Sequence, residues 1–331
     1  MALATPPSSL TIHQHEVGTI SAVYHDIFRT HILTRLDGPA LASLSCTSSE
    51  LYTLCTEDKL WQNICKSIWP SINTPLIRSV ISTFPSGHRS FFSNSYPLLH
   101  HHRHSFTNLA PATEELISAV DVYYKSVAVF SEVETTETVT GCFSCSPFRV
   151  DILHSEEFMP TWVQHVGEKD SWLKQLEENV TLSWILIDPK QKRAMNLSSK
   201  RAVSVQRHWL TGEVLVKFAT ILAGIKGSEK EYVECEMVVT CGGKEGEEVR
   251  VRDVSMRMDD MEGRSLTGKD SLVILNGAME RGERRKGEDG KERYKDFLGR
   301  KREMIKRKQN QRRGSVLDWI CNATGVTYFM A

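Results

Sequence analysis

At 331 residues, with 40% hydrophobic and 25% charged residues, the chain is long enough for about two domains and too apolar to stay unfolded throughout. Its 41 Lys and Arg balance 41 Asp and Glu, which excludes a surface built as a whole for nucleic acid or acidic lipid; any charge-driven partner must meet a local patch. Eight cysteines at irregular spacing exclude a small disulfide-stapled scaffold.

Met1 to Ile20 is polar, with Pro, Ser and His, and lacks the charged start and apolar core of a signal peptide. Residues 1–19 are therefore expected to form a flexible leader, and the chain to work in a reducing compartment, nucleus or cytoplasm. No apolar run reaches the ~20 residues that cross a bilayer, so no membrane partner is expected.

Helical periodicity begins near Asp26. Phe28, Ile32 and Leu36 stand at i, i+4 and i+8, and Leu33 widens their face. Asp37-Gly38-Pro39 ends that helix and opens the next, which carries Leu41 and Leu44. Ser48 or Ser49 can cap a third helix with Leu51, Leu54 and Cys55. Asp58 can cap a fourth with Leu60, Trp61, Ile64, Cys65 and Ile68. Such short helices make a small core, stable on its own only marginally and suited to support from a partner.

Leu36-Asp37-Gly38-Pro39-Ala40-Leu41, preceded by Ile32-Leu33-Thr34-Arg35 and followed by Leu44, resembles the F-box signature. The spacing to Thr47-Ser48-Ser49-Glu50-Leu51 and to Leu60-Trp61-Gln62-Asn63-Ile64-Cys65 fits as well. The resemblance implies that residues 20–70 are an F-box, a helical bundle that packs on a Skp-type adaptor and through it on a cullin. The adaptor-binding residues would be Phe28, Ile32, Leu33, Leu36, Pro39, Leu41 and Leu44, supported by Leu60 and Trp61. Tyr24-His25 stands where the family usually has Leu-Pro, Arg29 where an aliphatic is common, and Leu51 where a Trp is often found. Trp69-Pro70-Ser71-Ile72, Phe84-Pro85-Ser86-Gly87-His88-Arg89-Ser90-Phe91-Phe92, Ser183-Trp184-Ile185 and Arg207-His208-Trp209-Leu210-Thr211-Gly212 resemble a plant subgroup of F-box proteins, which extends the likeness over most of the chain.

Residues 71–115, with Pro, Ser and His, read as a linker over the surface, so a cut near Asn108 is expected to leave two working pieces. From 116 to 276 the pattern is strand-like. Tyr123 to Val133 alternates imperfectly, Val180 to Ile187 is apolar, and Val214, Val216 and Phe218 alternate with Glu213, Leu215 and Lys217. Tyr232 to Cys241 and Glu248 to Met258 complete a set of strands with short connections and no long helices between them, which suggests an antiparallel sandwich. Residues 277–313 read as a charged, solvated helix that becomes basic from Arg300 to Arg313, a signal for nuclear import or polyanion binding, and 314–331 as a tail. The whole is an α+β chain: helical F-box bundle, mainly antiparallel β-sandwich-like domain, charged C-terminal helix.

Chemistry-bearing patterns are weak. His100, His101, His102 and His104 offer imidazoles for a metal, but consecutive residues rarely converge on one ion, so a solvated loop is expected. Cys142-Phe-Ser-Cys145 has no second pair at zinc spacing, and Cys235 and Cys241 flank one strand, so buried thiols are expected. Gly242 to Gly246 lacks the phosphate-loop spacing, and Asp259-Asp260-Met261-Glu262 reads as a solvated loop. No catalytic constellation appears, so no cofactor or metal is expected; the F-box resemblance implies a non-catalytic subunit of a ubiquitin ligase complex that binds an adaptor and a target protein. The competing readings are a sugar-binding sandwich using Trp162, Trp172, Trp184 or Trp209, and nucleic-acid binding through the basic tail.

Overall fold

A computed structural model describes residues 27–100, 113–153, 160–164, 171–224, 231–242, 248–285 and 290–329. The chain forms two compact units, 1–64 and 65–331.

In the first unit a π-helical turn over Phe28–Ile32 runs into a 3-10 turn over Leu33–Arg35. Three helices follow: α1 (Gly38–Leu44), α2 (Ser49–Cys55) and α3 (Asp58–Ile68), and the unit boundary falls inside α3. The expected caps are in place. The Asp37 carboxylate accepts from the Ala40 N–H at 2.8 Å and the Ser48 hydroxyl from the Leu51 N–H at 3.2 Å; each such cap contributes ~1 kcal/mol. Phe28, Leu33, Leu41, Leu51, Cys55, Leu60 and Trp61 are buried, and the Trp61 indole donates to the Cys55 carbonyl at 2.7 Å.

The second unit begins with what the composition presented as a linker. Residues 71–100 are instead folded: a 3-10 turn over Pro70–Asn73, α4 (Pro75–Ser82), α5 (Gly87–Ser95) and strand β1 (Leu98–His100). The prolines and hydroxyls that suggested a loop serve the helices. Pro75 occupies the first turn of α4, and the Thr74 hydroxyl accepts from the Ile77 N–H. Trp69 packs edge-on against Phe91 with centroids 5.8 Å apart, Phe84 meets Phe91 at 5.9 Å, and Phe92 stacks on Tyr96 at 4.7 Å. The histidine run falls outside the described residues, apart from the backbone of His100.

The strands and helices that follow are β2 (Glu115–Tyr124), β3 (Val127–Glu137), α6 (Gly141–Cys145), β4 (Arg149–Leu153), β5 (Pro160–Gln164), α7 (Ser171–Asn179), β6 (Val180–Asp188), β7 (Arg193–Asn196), β8 (Ser204–Arg207), β9 (Val214–Ala223), β10 (Tyr232–Gly242), β11 (Glu248–Asp259), α8 (Gly268–Arg281), β12 (Glu283–Arg285) and α9 (Gly290–Phe329). One sheet has the order β12-β1-β7-β6-β2-β3; the other is β4-β11-β10-β9-β8, with β5 also paired to β11. Among the described residues every pairing is antiparallel except β1 with β7. Val122, Trp184 and Leu186 from the first sheet share one apolar core with Val216, Phe218, Met237 and Val254 from the second, which makes a sandwich.

Three expectations change. The strand read over Tyr123 to Val133 is two strands joined at Lys125-Ser126, whose φ values of 48° and 67° make the tight turn without glycine. Helices do interrupt the strands, α7 and α8 among them. The charged helix read from 277 is broken: α8 stops at Arg281, and α9 starts at Gly290. Gly282 sits at the break, where a Cβ would lie 2.3 Å from the Ala278 carbonyl oxygen and 2.8 Å from Leu99. Nor is α9 wholly solvated. Tyr294 and Phe297 cluster with Ala219 of β9 and with Val203 and Met261, which lie just outside the strands of the second sheet. Beneath them Lys217 lies 2.8 Å from Glu234 and against Glu236, and Lys301 of α9 approaches Glu234 at 3.4 Å. Burial opposes these charges, yet the pairing wins: Lys217 is held well above and Glu234 below its ordinary range.

Candidate adaptor-binding surface

The nine residues expected at the adaptor divide into two groups. Phe28, Leu33, Leu41, Leu60 and Trp61 are buried within this chain. Ile32 is 39% exposed, and Leu36, Pro39 and Leu44 are partly accessible. The division follows from local geometry. The π turn offsets Phe28 and Ile32 from a regular i, i+4 stripe, so one faces inward and the other outward. Leu36 has extended backbone and stands just before the Asp37 cap, off either helix. Pro39 occupies the first turn of α1, where its missing N–H costs nothing.

Among the described residues of this unit, Ile27 at 49% and Tyr52 at 51% are further large apolar side chains that are exposed, and periodicity does not single them out. Tyr52 adjoins the buried Leu51, so in helical phase it had to point elsewhere, and that phase is the signal that could have found it. Arg29, where the F-box pattern prefers an aliphatic, is ion-paired to Glu57 at 2.7 Å. Tyr24 and His25 lie outside the described residues.

Among the described residues the other candidates form no reactive constellation. Cys142 and Cys145 are exposed on α6, against the expectation of burial, because that one-turn helix stands outside the sheets. Cys235 and Cys241 are buried as expected; burial holds the Cys235 thiol well above its usual range and pushes Cys241 up to about 12, leaving neither as a thiolate at neutral pH. Asp259 and Asp260 are buried rather than solvated. Asp260 accepts from the Glu262 N–H at 2.8 Å and from the Arg264 backbone N–H and Nε at 3.0 Å each, so its oxygens serve the turn itself. Residues 243–247 of the glycine-rich connection lie outside the described residues.

Trp172 and Trp184 are core residues, the latter donating its indole N–H to Ser118 at 3.2 Å. The side chain of Trp162 lies outside the described set. Of the basic run, Lys301 and Lys308 are held by Glu234 and Glu262, and Arg300 by Tyr232 at 3.2 Å, while Arg302, Lys306 and Arg307 are exposed. The side chains from Arg312 onward lie outside the described set, and among the described residues no helix is long and apolar enough to cross a membrane.

Residues 29–67 match the F-box-like family, a span that takes in α1 and α2 with their N-terminal caps and all but the last residue of α3. Relatives in Arabidopsis thaliana extend the likeness. F-box protein At2g27310 is 44% identical, covering 94% of this chain and 94% of its own length. F-box protein At3g44326 is 46% identical over 89% of this chain and 85% of its own length, and the probable F-box protein At2g36090 is 42% identical over 94% and 91%. No solved structure matches the chain. A short helical unit with the F-box pattern, carried by relatives alike over nearly their whole length, places this chain among the F-box proteins.

Proposed function

We propose that this F-box protein is a substrate-receptor subunit of a cullin–RING, SCF-type ubiquitin ligase. The helical unit binds a Skp-type adaptor, the sandwich binds a target protein, and ubiquitin transfer belongs to other subunits. The observation that carries the reading is the coincidence of the family match at 29–67 with accessible apolar side chains at Ile32, Leu36, Pro39 and Leu44. These are the side chains free to lose water against an adaptor helix; the buried residues of the expected set support them from within. Burying an apolar side chain of this size contributes ~1.5–3 kcal/mol. Ile32→Ala with Leu36→Ala should therefore weaken adaptor binding by roughly tenfold or more without unfolding the chain. Leu41→Ala is a poorer probe, because that side chain is fully buried. Co-purification of the full chain with a Skp-type adaptor is the test, and undiminished capture by the folded double variant would refute the reading.

A further inference from the structure

The turn between β8 and β9 exposes the most prominent apolar pair among the described residues. Trp209 is 88% exposed and Leu210 beside it 71%. A single exposed apolar residue is ordinary, but an indole and a leucine side by side make a contiguous patch of the kind that marks an interaction site. A loose loop could hide the indole by collapsing, but this turn is pinned. The His208 N–H donates to the Glu213 carbonyl at 2.7 Å and the Gly212 N–H to the His208 carbonyl at 2.9 Å. The Thr211 N–H donates to the His208 ring nitrogen at 3.2 Å, and the Thr211 hydroxyl to the Glu213 carboxylate at 3.1 Å. Gly212 takes the left-handed φ of 72° that the return requires.

The sheet reinforces the turn from two strands away. Thr240 pairs with Asp253 and Cys241 with Val251, so Arg252 is the extra residue of a β-bulge. The bulge turns Arg252 toward the β8–β9 connection, where it is ion-paired to Glu213. Arg207, by contrast, is exposed at the foot of the turn, its guanidinium against Gly212, and among the described residues no carboxylate meets it. The tip therefore presents an indole and a leucine on a rigid support, flanked by an uncompensated cation.

We propose that this turn anchors the target: Trp209 and Leu210 enter an apolar pocket on the target protein, and Arg207 meets carboxylates on the rim of that pocket. The assignment rests on the receptor reading above and specifies its partner. Trp and Arg are the side chains that dominate binding when desolvated at an interface, and a pre-ordered turn loses little further freedom on binding. A bilayer is a poorer match. One tip with two apolar side chains gives only marginal membrane binding, and the single uncompensated cation beside them falls short of the basic cluster that holds a protein at anionic headgroups.

The test uses the full chain co-expressed with its Skp-type adaptor. Targets are the proteins whose half-lives shorten with the wild-type chain but not with the Ile32→Ala, Leu36→Ala variant. Each purified target is then titrated with the adaptor-bound chain. Trp209→Ala should weaken target binding by roughly thirtyfold or more while adaptor binding is unchanged, and Arg207→Glu should weaken it again and remove its sensitivity to salt. Equal target binding and degradation by Trp209→Ala overturns the anchor alone. Loss with Trp209→Ala but none with Arg207→Glu overturns the acidic rim. Trp209-dependent sedimentation with phosphatidylserine-rich vesicles, or Trp209-dependent self-association, assigns the tip to a bilayer or a second copy and overturns the target pocket. A chain that binds the adaptor yet shortens no half-life overturns the receptor reading, and the anchor with it.

Discussion

Asp121 of β2 gives the sharpest handle on how the second unit is held together. Its carboxylate is fully buried and accepts from the Ser71 N–H at 2.9 Å, the Ser71 hydroxyl at 2.6 Å and the Ser131 hydroxyl at 2.5 Å. Burial pushes its pKa up from 3.8 to about 6, against the three hydrogen bonds that favour the charged form. The folded state thus binds the proton more tightly than the unfolded chain. Stability from this group is fully present below the unfolded pKa of 3.8 and is lost as pH rises through about 6. A shift of that size corresponds to about 3 kcal/mol between the two limits, as an order of magnitude. Asp121→Asn keeps an acceptor oxygen and cannot ionise, and the serine hydroxyls can rotate to meet its amide. Urea unfolding of the wild-type and Asp121→Asn chains across pH 4–7 isolates the effect, because every other titrating group is common to both. The difference in stability should move in favour of the variant as pH rises. Parallel curves would refute the claim that burial outweighs the hydrogen bonds.

Other consequences are simpler. Lys217→Ala leaves Glu234 and Glu236 buried beneath α9 without their main counter-charge, and should cost about 3 kcal/mol in urea unfolding, whereas Lys217→Met with Glu234→Gln should recover much of the loss. Within the part of the basic run whose side chains are described, nuclear import would use the exposed Arg302, Lys306 and Arg307, the last 3.9 Å from Glu303 on the surface, since Lys301 and Lys308 are engaged with Glu234 and Glu262. Neutralising those three should lower nuclear accumulation of a fluorescent fusion, and an unchanged distribution would leave α9 a structural helix.

Much of the fold was legible because its signals are positional. Val214, Val216 and Phe218 face the core of β9 as their alternation required, and Asp37 and Ser48 cap the helices they precede. What was missed lacked such a signal or carried a misleading one. The Lys125-Ser126 turn has neither glycine nor asparagine to announce positive φ. Average composition presents residues 71–100 as a linker, yet Thr74 and Pro75 act by position, one as cap and one as first-turn residue. The adaptor surface was half legible for a different reason. Periodicity marks a face that loses water, and the same spacing serves whether that face meets the chain's own core, as Leu33 and Leu41 do, or stays accessible, as Ile32 does. Trp209 read equally well as core, since sequence does not say that its turn points outward.

The division of labour along the chain also shifts, and with it the place where the chain can be cut. A break near Asn108, chosen on composition, separates parts of the second unit from one another. It removes β1, which lies between β12 and β7, together with the buried Leu98 and Leu99. It takes Ser71 from Asp121, and the Ile68 carbonyl from the Tyr123 hydroxyl that donates to it. Two buried leucines contribute ~1.5–3 kcal/mol each, and hydrogen bonds to a carboxylate ~1.5–3 kcal/mol each. The total approaches the ~5–15 kcal/mol that holds a whole domain folded. A fragment of residues 109–331 should therefore lose cooperative unfolding, while one of residues 65–331 should retain it. Circular dichroism through a urea series, with limited proteolysis beside it, compares the two. Cooperative unfolding of 109–331 at the midpoint of 65–331 would refute the argument and restore the boundary that the composition suggested.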